Sequence, residues 1–491
     1  MKAIITGAAA RGRARFKAND DQIPRSFGRQ TGRVRFRLGC AALFLGAASC
    51  ASLPADHRGA DLALVGGTII DGTGAPPIVG GTILIEGDRI AGVGRKIRIP
   101  SGTTIVDVRG KTVIPGLIDM HGHMYVNASG SQHSQFEAYS YLFLAGGVTT
   151  VRSPGDFEPE GMIAQRTRIA AGQAVGPDIL TAGPYFDNAP SQVNWIQGVH
   201  SPQEALAKFE QWKDRIDYVK FYNRITEPEF VAVLGAAHRA GIHATAHLGS
   251  ITAARAIELG IDGLEHGLFA MPDFFPKPGS NENRFCALAA LDLNSAPVEH
   301  LINAIVDRRV VIDPTIVTYQ SLHPDFRPVT ADWMRYLSPA AQAYQRKRRE
   351  SRSPPEPDEI AAYACVLKSL DKQIAFVGKL HRRGALIVAG TDPVLVTLTP
   401  GFGLQRELEN FGEAGFTSVE AIHAASLVAA RALGRNATIG SIEKGKLADL
   451  VVINGDVAGR IENVERVESV FKNGIRYDPA ALRKAAEGKI E

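Results

Sequence analysis

Between residues 114 and 436, short apolar runs of β character alternate with amphipathic stretches such as SPQEALAKFEQWKDRI and EPEFVAVLGAAHRAG. This alternation is typical of parallel strands connected by helices. Eight runs are candidate strands: the one that ends before His121, then VTTVRS, PDILTAG, YVKFY, IHATAHL, DGLEHG, VVIDPTIV and ALIVAGTD. Eight repeats in about 300 residues match a closed (β/α)8 barrel. We therefore predict an α/β chain with a TIM barrel at 114–436.

The segments on either side of the predicted barrel have a different residue pattern. Residues 60–113 consist of short β-rich pieces, with Asp71-Gly72 and Gly87-Asp88 at turn positions. Residues 437–478 return to the same texture in LADLVVINGD and VERVESVFKNGIRY. The simplest topology pairs the late strands with the early ones. We therefore predict a small discontinuous β-sandwich domain, 60–113 plus 437–478, into which the barrel is inserted.

Residues 1–55 differ from the rest in charge and apolarity. The first 38 residues hold ten lysines and arginines against two aspartates, whereas the whole chain has a net charge of +4. The remainder is therefore net negative, which argues against a nucleic-acid partner. The basic segment precedes an apolar stretch too short to span a bilayer and an Ala-Ala-Ser-Cys sequence at Cys50. This pattern indicates a bacterial-type export signal, with a lipid anchor at Cys50, although a tail with one apolar helix is the alternative. We expect an exported protein, periplasmic or anchored to the membrane as a lipoprotein.

The run VIPGLIDMHGHM places two histidines, His121 and His123, at the end of an apolar strand. Residues two apart in a strand point to the same side, so both imidazoles can bind one divalent ion at roughly 2.0–2.1 Å. Polar residues also occur where other predicted strands end, and in a barrel these ends meet at one mouth. The candidate site residues are His121, His123, Lys220, His247, His266 and Asp392.

Three further assignments rest on position. His243 and His247 share one face of the same predicted strand, and we favour His247 because only it lies at the carboxyl end. Tyr222, two residues past Lys220, is a candidate substrate-binding residue. Beyond the leader, only Cys286 and Cys365 remain, and their spacing predicts neither a disulfide framework nor a zinc ribbon.

These motifs together resemble the metal-dependent amidohydrolase superfamily, and in particular its binuclear branch of Xaa-Pro and Xaa-Arg dipeptidases. The matching segments extend from Asp61 to about Tyr477 and are VIPGLIDMHGHM, AGGVTTVRS, YVKFY, HATAHLG, GLEHG, VAGTD and IGSIEKGKLADLVVIN. The H-x-H after PGLID combined with the G-K-x-A-D-L-V tail is the most specific part of the resemblance.

The resemblance implies a role for each candidate residue. His121, His123 and Asp392 would hold a buried metal ion, and His247 and His266 a more exposed one. A carbamylated Lys220 would bridge the two ions, because a bare ammonium has no lone pair to offer. A hydroxide between two divalent ions, most simply zinc, would then attack the carbonyl of a dipeptide or N-acyl amino acid, with Asp392 moving the proton.

Two alternatives stay open from the sequence. The chain could be a mononuclear hydrolase of cyclic amides of the imidazolone type, or a barrel that binds ligands without catalysis. Deaminases of the same superfamily carry a glutamate three residues after the strand-five histidine, and Ser250 occupies that position here. Hydrolysis of an amide bond is therefore favoured over deamination of a ring.

Overall fold

The computed structural model describes residues 61–191, 193–276, 282–323, 326, 328–353 and 356–491. The predicted leader at 1–55, with Cys50, lies outside the described residues. Within the described ranges, no helix combines the length and the apolar character that crossing a bilayer requires.

The strands fall into a group at both ends of the chain and a group between them. In chain order they are β1 (Leu62–Ile69), β2 (Ile78–Glu86), β3 (Arg89–Gly94), β4 (Thr104–Asp107), β5 (Thr112–Pro115), β6 (Leu117–Asp119), β7 (Tyr125–Val126), β8 (His133–Ser134), β9 (Val148–Ser153), β10 (Asp178–Thr181), β11 (Tyr218–Phe221), β12 (His243–Ala246), β13 (Gly263–Glu265), β14 (Val311–Asp313), β15 (Leu386–Ile387), β16 (Leu450–Ile453), β17 (Val467–Lys472) and β18 (Ile475–Tyr477).

The α-helices lie mostly between the strands of the central group. They are α1 (Phe136–Ala145), α2 (Pro159–Ala170), α3 (Pro202–Trp212), α4 (Glu227–Arg239), α5 (Ala253–Glu258), α6 (Arg284–Ala290), α7 (Ala296–Asp307), α8 (Ile316–Gln320), α9 (Pro339–Glu350), α10 (Pro357–Arg382), α11 (Phe402–Glu413), α12 (Ser418–His423), α13 (Ala429–Ala432) and α14 (Pro479–Ala486).

Strands from both ends of the chain form one sheet, in the order β18-β17-β16-β5-β1-β2-β3, with β4 also paired to β1. Strand β1 pairs with β4 over Leu62–Val65 and with β5 at Thr68 and Ile69, so it changes partners along its length. The sheet has an apolar cluster of its own. Its buried members are Leu64, Ile69, Ile83, Ile85, Ile90, Val108, Val113, Ile442, Ala448, Leu450, Val452 and Phe471. The early and late strands of the predicted composite domain thus lie in one eight-stranded sheet.

All eight strands predicted for the barrel are present, and they are parallel. Strands β6, β9 and β10 form one ladder and β11 to β15 form another. Backbone hydrogen bonds join the ladders at both seams: Asp217 N donates to Thr181 O at 2.9 Å, and Met120 N donates to Ala389 O at 2.9 Å. Helices occupy the connections, which confirms the predicted (β/α)8 fold class.

Helix α3 shows how the sequence specifies these connections. Ser201 caps its first turn by accepting a hydrogen bond from Glu204 N, and Pro202 occupies the first helical position. Ala205 and Phe209, four residues apart, are buried on the inner face. Burial of the Phe209 side chain contributes on the order of 2 kcal/mol to stability.

The long excursion between β13 and β15 contains a disulfide that the sequence analysis did not anticipate. Cys286 in α6 and Cys365 in α10 are bonded, across a sequence separation of 79. The sequence predicted no disulfide framework from these two cysteines, and the single bond between them is a feature that only the structure shows. Spacing along the chain gave no indication of the bond, because it depends on how α6 and α10 pack side by side.

Candidate metal centre

The six predicted side chains meet at the carboxyl ends of the barrel strands. The ring centroids of His121 and His123 are 5.0 Å apart, those of His121 and His266 are 4.8 Å apart, and those of His247 and His266 are 4.5 Å apart. Lys220 lies in β11 among these rings, and only 1% of its surface is exposed. The four imidazoles, the lysine and Asp392 therefore form one buried cluster at the carboxyl ends of the strands.

The first group of donors has the spacing of a single-ion site. Asp392 Oδ1 lies 3.7 Å from His121 Nε2 and 3.5 Å from His123 Nε2. One ligand atom from each of the three residues lies within 4.8 Å of the others. Tetrahedral ligands about 2.1 Å from a zinc ion are themselves about 3.4 Å apart, so this set fits a divalent ion.

Lys220 places a buried amine in this cluster, without a hydrogen-bond partner for it among the described residues. Its Nζ atom finds no hydrogen-bond partner among the described residues, although the side chain is buried. Burial lowers the pKa of this amine to about 8, which makes its neutral, nucleophilic form accessible. A buried amine left without a partner has a cost in stability, and a structural barrel gains nothing from it.

Burial also keeps the histidines neutral. It lowers the pKa of His121 to about 4 and holds the pKa values of His123, His247 and His266 well below the usual range. Neutral imidazoles have a lone pair for a metal ion, whereas imidazolium cations do not. The donor chemistry therefore fits metal binding at physiological pH.

Asp119, which was not predicted as a site residue, links two segments that carry predicted metal ligands by hydrogen bonds. Its Oδ1 accepts hydrogen bonds from His121 N at 3.0 Å and Thr391 N at 3.1 Å, and its Oδ2 accepts from Thr391 Oγ1 at 2.6 Å. The residue just before Asp392 is thereby tied to the H-x-H segment. Asp119 lies in the PGLID motif, so the motif contains this residue. Only the structure shows the hydrogen bonds that it accepts.

A second missed group orients His121. Glu265 Oε2 lies 2.8 Å from His121 Nδ1, and Glu265 Oε1 accepts hydrogen bonds from Arg152 at 2.5 Å and from Thr245. Arg152 also donates to Met120 O at 2.5 Å. A carboxylate bound to one ring nitrogen fixes the tautomer that directs the other nitrogen towards a metal ion.

The backbone is strained at two of the predicted ligands. His266 and Asp392 have φ values of 66° and 49°, in the left-handed region that residues other than glycine rarely occupy. Strain of this kind is concentrated at functional sites. Gly390 is required nearby because a Cβ there would collide with the Asp313 carboxylate and with His121.

Aromatic side chains form a wall beside this cluster. The ring of Tyr222 lies 4.9 Å from that of His247 and 5.2 Å from that of Tyr185. The Tyr185 hydroxyl lies 2.7 Å from the Tyr125 hydroxyl and 3.4 Å from His123 Nε2. Trp195 packs against both of these tyrosines, at 5.4 and 5.6 Å. Tyr222 therefore lies between this aromatic group and the candidate ligand His247.

His243 and His247 lie at opposite ends of the same strand. The His243 side chain is 70% exposed and its Nδ1 lies 3.0 Å from Asp262 Oδ1. His247 faces His266 instead. His247, and not His243, therefore lies in the histidine cluster.

The fold and donor set define a TIM-barrel protein with a candidate metal centre at the strand ends. The model of the amidohydrolase family matches residues 112–476, and the chain belongs to this family. This result confirms the superfamily expected from the sequence motifs.

Individual relatives are more distant. The chain is 22% identical to an imidazolonepropionase from Streptomyces griseus over 226 residues, which cover 39% of this chain and 57% of the relative. It is 32% identical to a dihydroorotase from Pelobacter propionicus over 97 residues, 19% of this chain and 22% of that protein. The matches thus span little more than half the length of the first of these curated relatives and less than a quarter of the second.

Solved structures match over a longer range. A Xaa-Pro dipeptidase with bound methionine in its active site has a TM-score of 0.64 and is 24% identical, with 85% of this chain and 99% of that chain covered. At these identities the likeness establishes the fold alone.

Proposed function

We propose that the protein is a metal-dependent hydrolase that cleaves the amide bond of a dipeptide or an N-acyl amino acid. The observation that carries the proposal is the convergence of four neutral imidazoles and Asp392 around the buried Lys220 amine, which has no hydrogen-bond partner among the described residues. This collection of donors has a clear use in binding metal ions and none in packing a barrel.

Each donor has an assigned role in the proposal. His121, His123 and Asp392 would hold one ion, and His247 and His266 would hold a second. Lys220 would supply a further ligand as a carbamate: its nitrogen forms a bond to the carbon of carbon dioxide and releases one proton, which converts a donor into an anionic ligand with two oxygens. An imidazole-rich set completed by a carboxylate favours zinc.

The remaining chemistry follows from the position of the side chains. Bound divalent ions would acidify a water molecule and polarise the substrate carbonyl. Asp392, whose Oδ1 lies 3.5 Å from His123 Nε2, accepts the proton of the attacking water and returns it to the leaving amine. Tyr222 and the aromatic wall hold the substrate and keep bulk water away from the reacting carbonyl.

The comparisons support this reading at the level of the fold, since a prolidase complexed with N-methylphosphonate-L-proline has a TM-score of 0.61 over 85% of this chain and 99% of that chain. The sequence relatives favour a second candidate. Because imidazolonepropionases share part of the barrel sequence, a hydrolase of cyclic amides with a single metal ion is the alternative function.

The number of bound metal ions distinguishes the two candidates. We expect the purified, zinc-loaded protein to hold two equivalents and to hydrolyse members of a library of dipeptides and N-acyl amino acids. Chelation should abolish this activity and added zinc should restore it. The Lys220→Ala variant should hold about one equivalent or less, measured by elemental analysis.

Lys208 offers a matched control, because it is also a largely buried lysine but donates hydrogen bonds to Tyr185 O and Gln197 O. The Lys208→Ala variant should keep both equivalents. One equivalent in the unaltered protein, unchanged in Lys220→Ala, would favour the single-ion alternative.

We further propose that the protein is exported and anchored through a lipid on Cys50. The basic and apolar leader supports this, and the disulfide between Cys286 and Cys365 is of a kind that persists in oxidising compartments. In a bacterial host, radiolabelled palmitate should enter the full chain and not the Cys50→Ala variant. Equal labelling of both would contradict the anchor.

A further inference from the structure

The short helix α8 follows a strained residue next to the candidate metal centre. Thr315, directly before α8, has a φ of 41°, in the left-handed region that a β-branched residue rarely occupies. The predicted ligands His266 and Asp392 lie in the same region. Backbone of this kind persists only where the surrounding structure holds it in place. The contacts of α8 show what holds these three residues.

Thr315 contacts the ring of His266. Its hydroxyl is buried, and Oγ1 lies 2.8 Å from His266 Nδ1. Because Nδ1 is engaged in this hydrogen bond, Nε2 is the ring nitrogen left for a metal ion. Gln373 Nε2 donates to His266 O at 3.0 Å and to Pro314 O at 3.2 Å, so the backbones of the two turns are joined as well.

One turn further along, α8 contacts the segment that carries Asp392. Thr318 Oγ1 donates a hydrogen bond to Asp392 O at 2.7 Å. Asp392 N donates in turn to His121 O at 2.7 Å. Helix α8 therefore contacts a predicted ligand of each ion through a separate threonine.

Glu407, in α11, fixes the position of α8. Its carboxylate is buried, and its two oxygens accept hydrogen bonds from Ile316 N and Val317 N, both at 2.8 Å. Asn410 Nδ2 donates to Glu407 Oε2 at 3.3 Å. A helix of five residues is not stable by its own hydrogen bonds, and its first N–H groups need partners from outside. Glu407 supplies both partners.

We propose that Glu407 and Thr315 are positioning residues of the metal centre. Glu407 holds α8 in place, and α8 orients the His266 ring through Thr315 and the Asp392 backbone through Thr318. The inference rests on the proposed function, because it takes His266 and Asp392 as ligands of two different ions. Each threonine should therefore affect the affinity for one ion and not for the other.

Zinc titration in competition with a chelator tests Thr315. Thr315→Val keeps the shape of the side chain and loses the hydroxyl. We expect one of the two zinc affinities, the one that His247→Ala also removes, to fall about 10- to 100-fold, and the other to change less than about threefold. Thr315→Ser keeps the hydroxyl and should bind both ions within about threefold of the wild-type protein.

The same titration tests the other two contacts. Thr318→Val should show the opposite split, a loss of about 3- to 10-fold in the affinity that His247→Ala leaves in place. Glu407→Gln replaces one acceptor oxygen by an amide group that cannot accept from a backbone N–H, so both affinities should fall about tenfold. If Glu407→Gln does not fold, the two Thr315 variants still decide the inference.

Matched controls carry the same substitutions elsewhere. Thr112 is also buried, and its Oγ1 donates to Gly455 O at 2.7 Å in the composite sheet. Glu229 is a buried glutamate that accepts from Thr226 N at 3.0 Å at the start of α4. Thr112→Val and Glu229→Gln should leave both zinc affinities unchanged.

The outcomes separate this inference from the proposed function. Zinc bound by Thr315→Val as tightly as by the wild-type protein, or an equal loss in Thr315→Ser, would overturn the positioning role and leave the hydrolase proposal standing. The expected split in a protein that hydrolyses no amide would support the positioning role and overturn the hydrolase proposal. Failure of the wild-type protein to bind zinc would overturn both.

Discussion

The two ends of the barrel strands differ in how their charged groups are paired. Before β11, Asp217 is paired with Arg166 at 2.8 Å, and at the start of β12, His243 is paired with Asp262 at 3.0 Å. A few residues further along the same strands, the Lys220 amine has no hydrogen-bond partner among the described residues and His247 faces another imidazole. The charged groups at these amino ends are paired within the protein, whereas the Lys220 amine near the carboxyl ends has no such partner among the described residues.

The largest effect should appear when the same substitution, Asp to Asn, is compared at the two ends of the strands. Asp392→Asn removes the proposed proton acceptor at the carboxyl ends but keeps an amide oxygen as a ligand, so at saturating zinc we expect kcat to fall about 10³-fold while zinc content stays nearly intact. Asp262→Asn makes the same change at the amino ends and should alter kcat less than about twofold. Steady-state kinetics and elemental analysis check both, and similar effects at the two ends would break the comparison.

An intermediate effect should follow from loosening the support of His121. In Glu265→Gln the ring loses its anionic partner, and we expect metal affinity to fall about 10- to 100-fold, as measured by competition with a chelator. Glu299→Gln is the control, because Glu299 forms surface ion pairs with Lys379 and Arg383 instead. Unchanged affinity in Glu265→Gln would show that His121 is oriented without its carboxylate partner.

The smallest effect should appear at the amino ends and depend on pH. The hydrogen bond to Asp262 raises the pKa of His243 above its usual value of 6.5. Stability from this pair is therefore full below that value and is lost as the pH rises through the raised pKa. Because the imidazole is largely exposed, His243→Gln should cost at most about 1 kcal/mol at pH 5.5 and nothing at pH 9, by urea unfolding. A cost that does not change with pH would rule out this origin.

The barrel could be predicted because its strands are buried on both faces and so form continuous apolar runs. The positions of Lys220, His247 and Asp392 followed, since each lies where such a run ends. The pairing of late strands with early ones was also expected from the sequence, but the change of partners along β1 was not, because it leaves no pattern in the sequence.

The missed residues share one physical reason. Arg152 and Glu265 are 113 positions apart, and Asp119 and Thr391 are 272 apart. The function of each depends on a partner that only the closed barrel brings near. The disulfide across α6 and α10 is the same case, because neither cysteine has a local sequence feature that marks it as bonded.

The composite sheet also constrains how the chain reaches its native state. Strand β5 is bordered by β1 on one side and by β16 on the other, with Thr112 opposite Ile453 and Pro115 opposite Leu450. During synthesis, β5 emerges from the ribosome more than 300 residues before its second neighbour does. The barrel must therefore wait, or fold with one edge of its supporting sheet open, until the end of translation supplies the last strands.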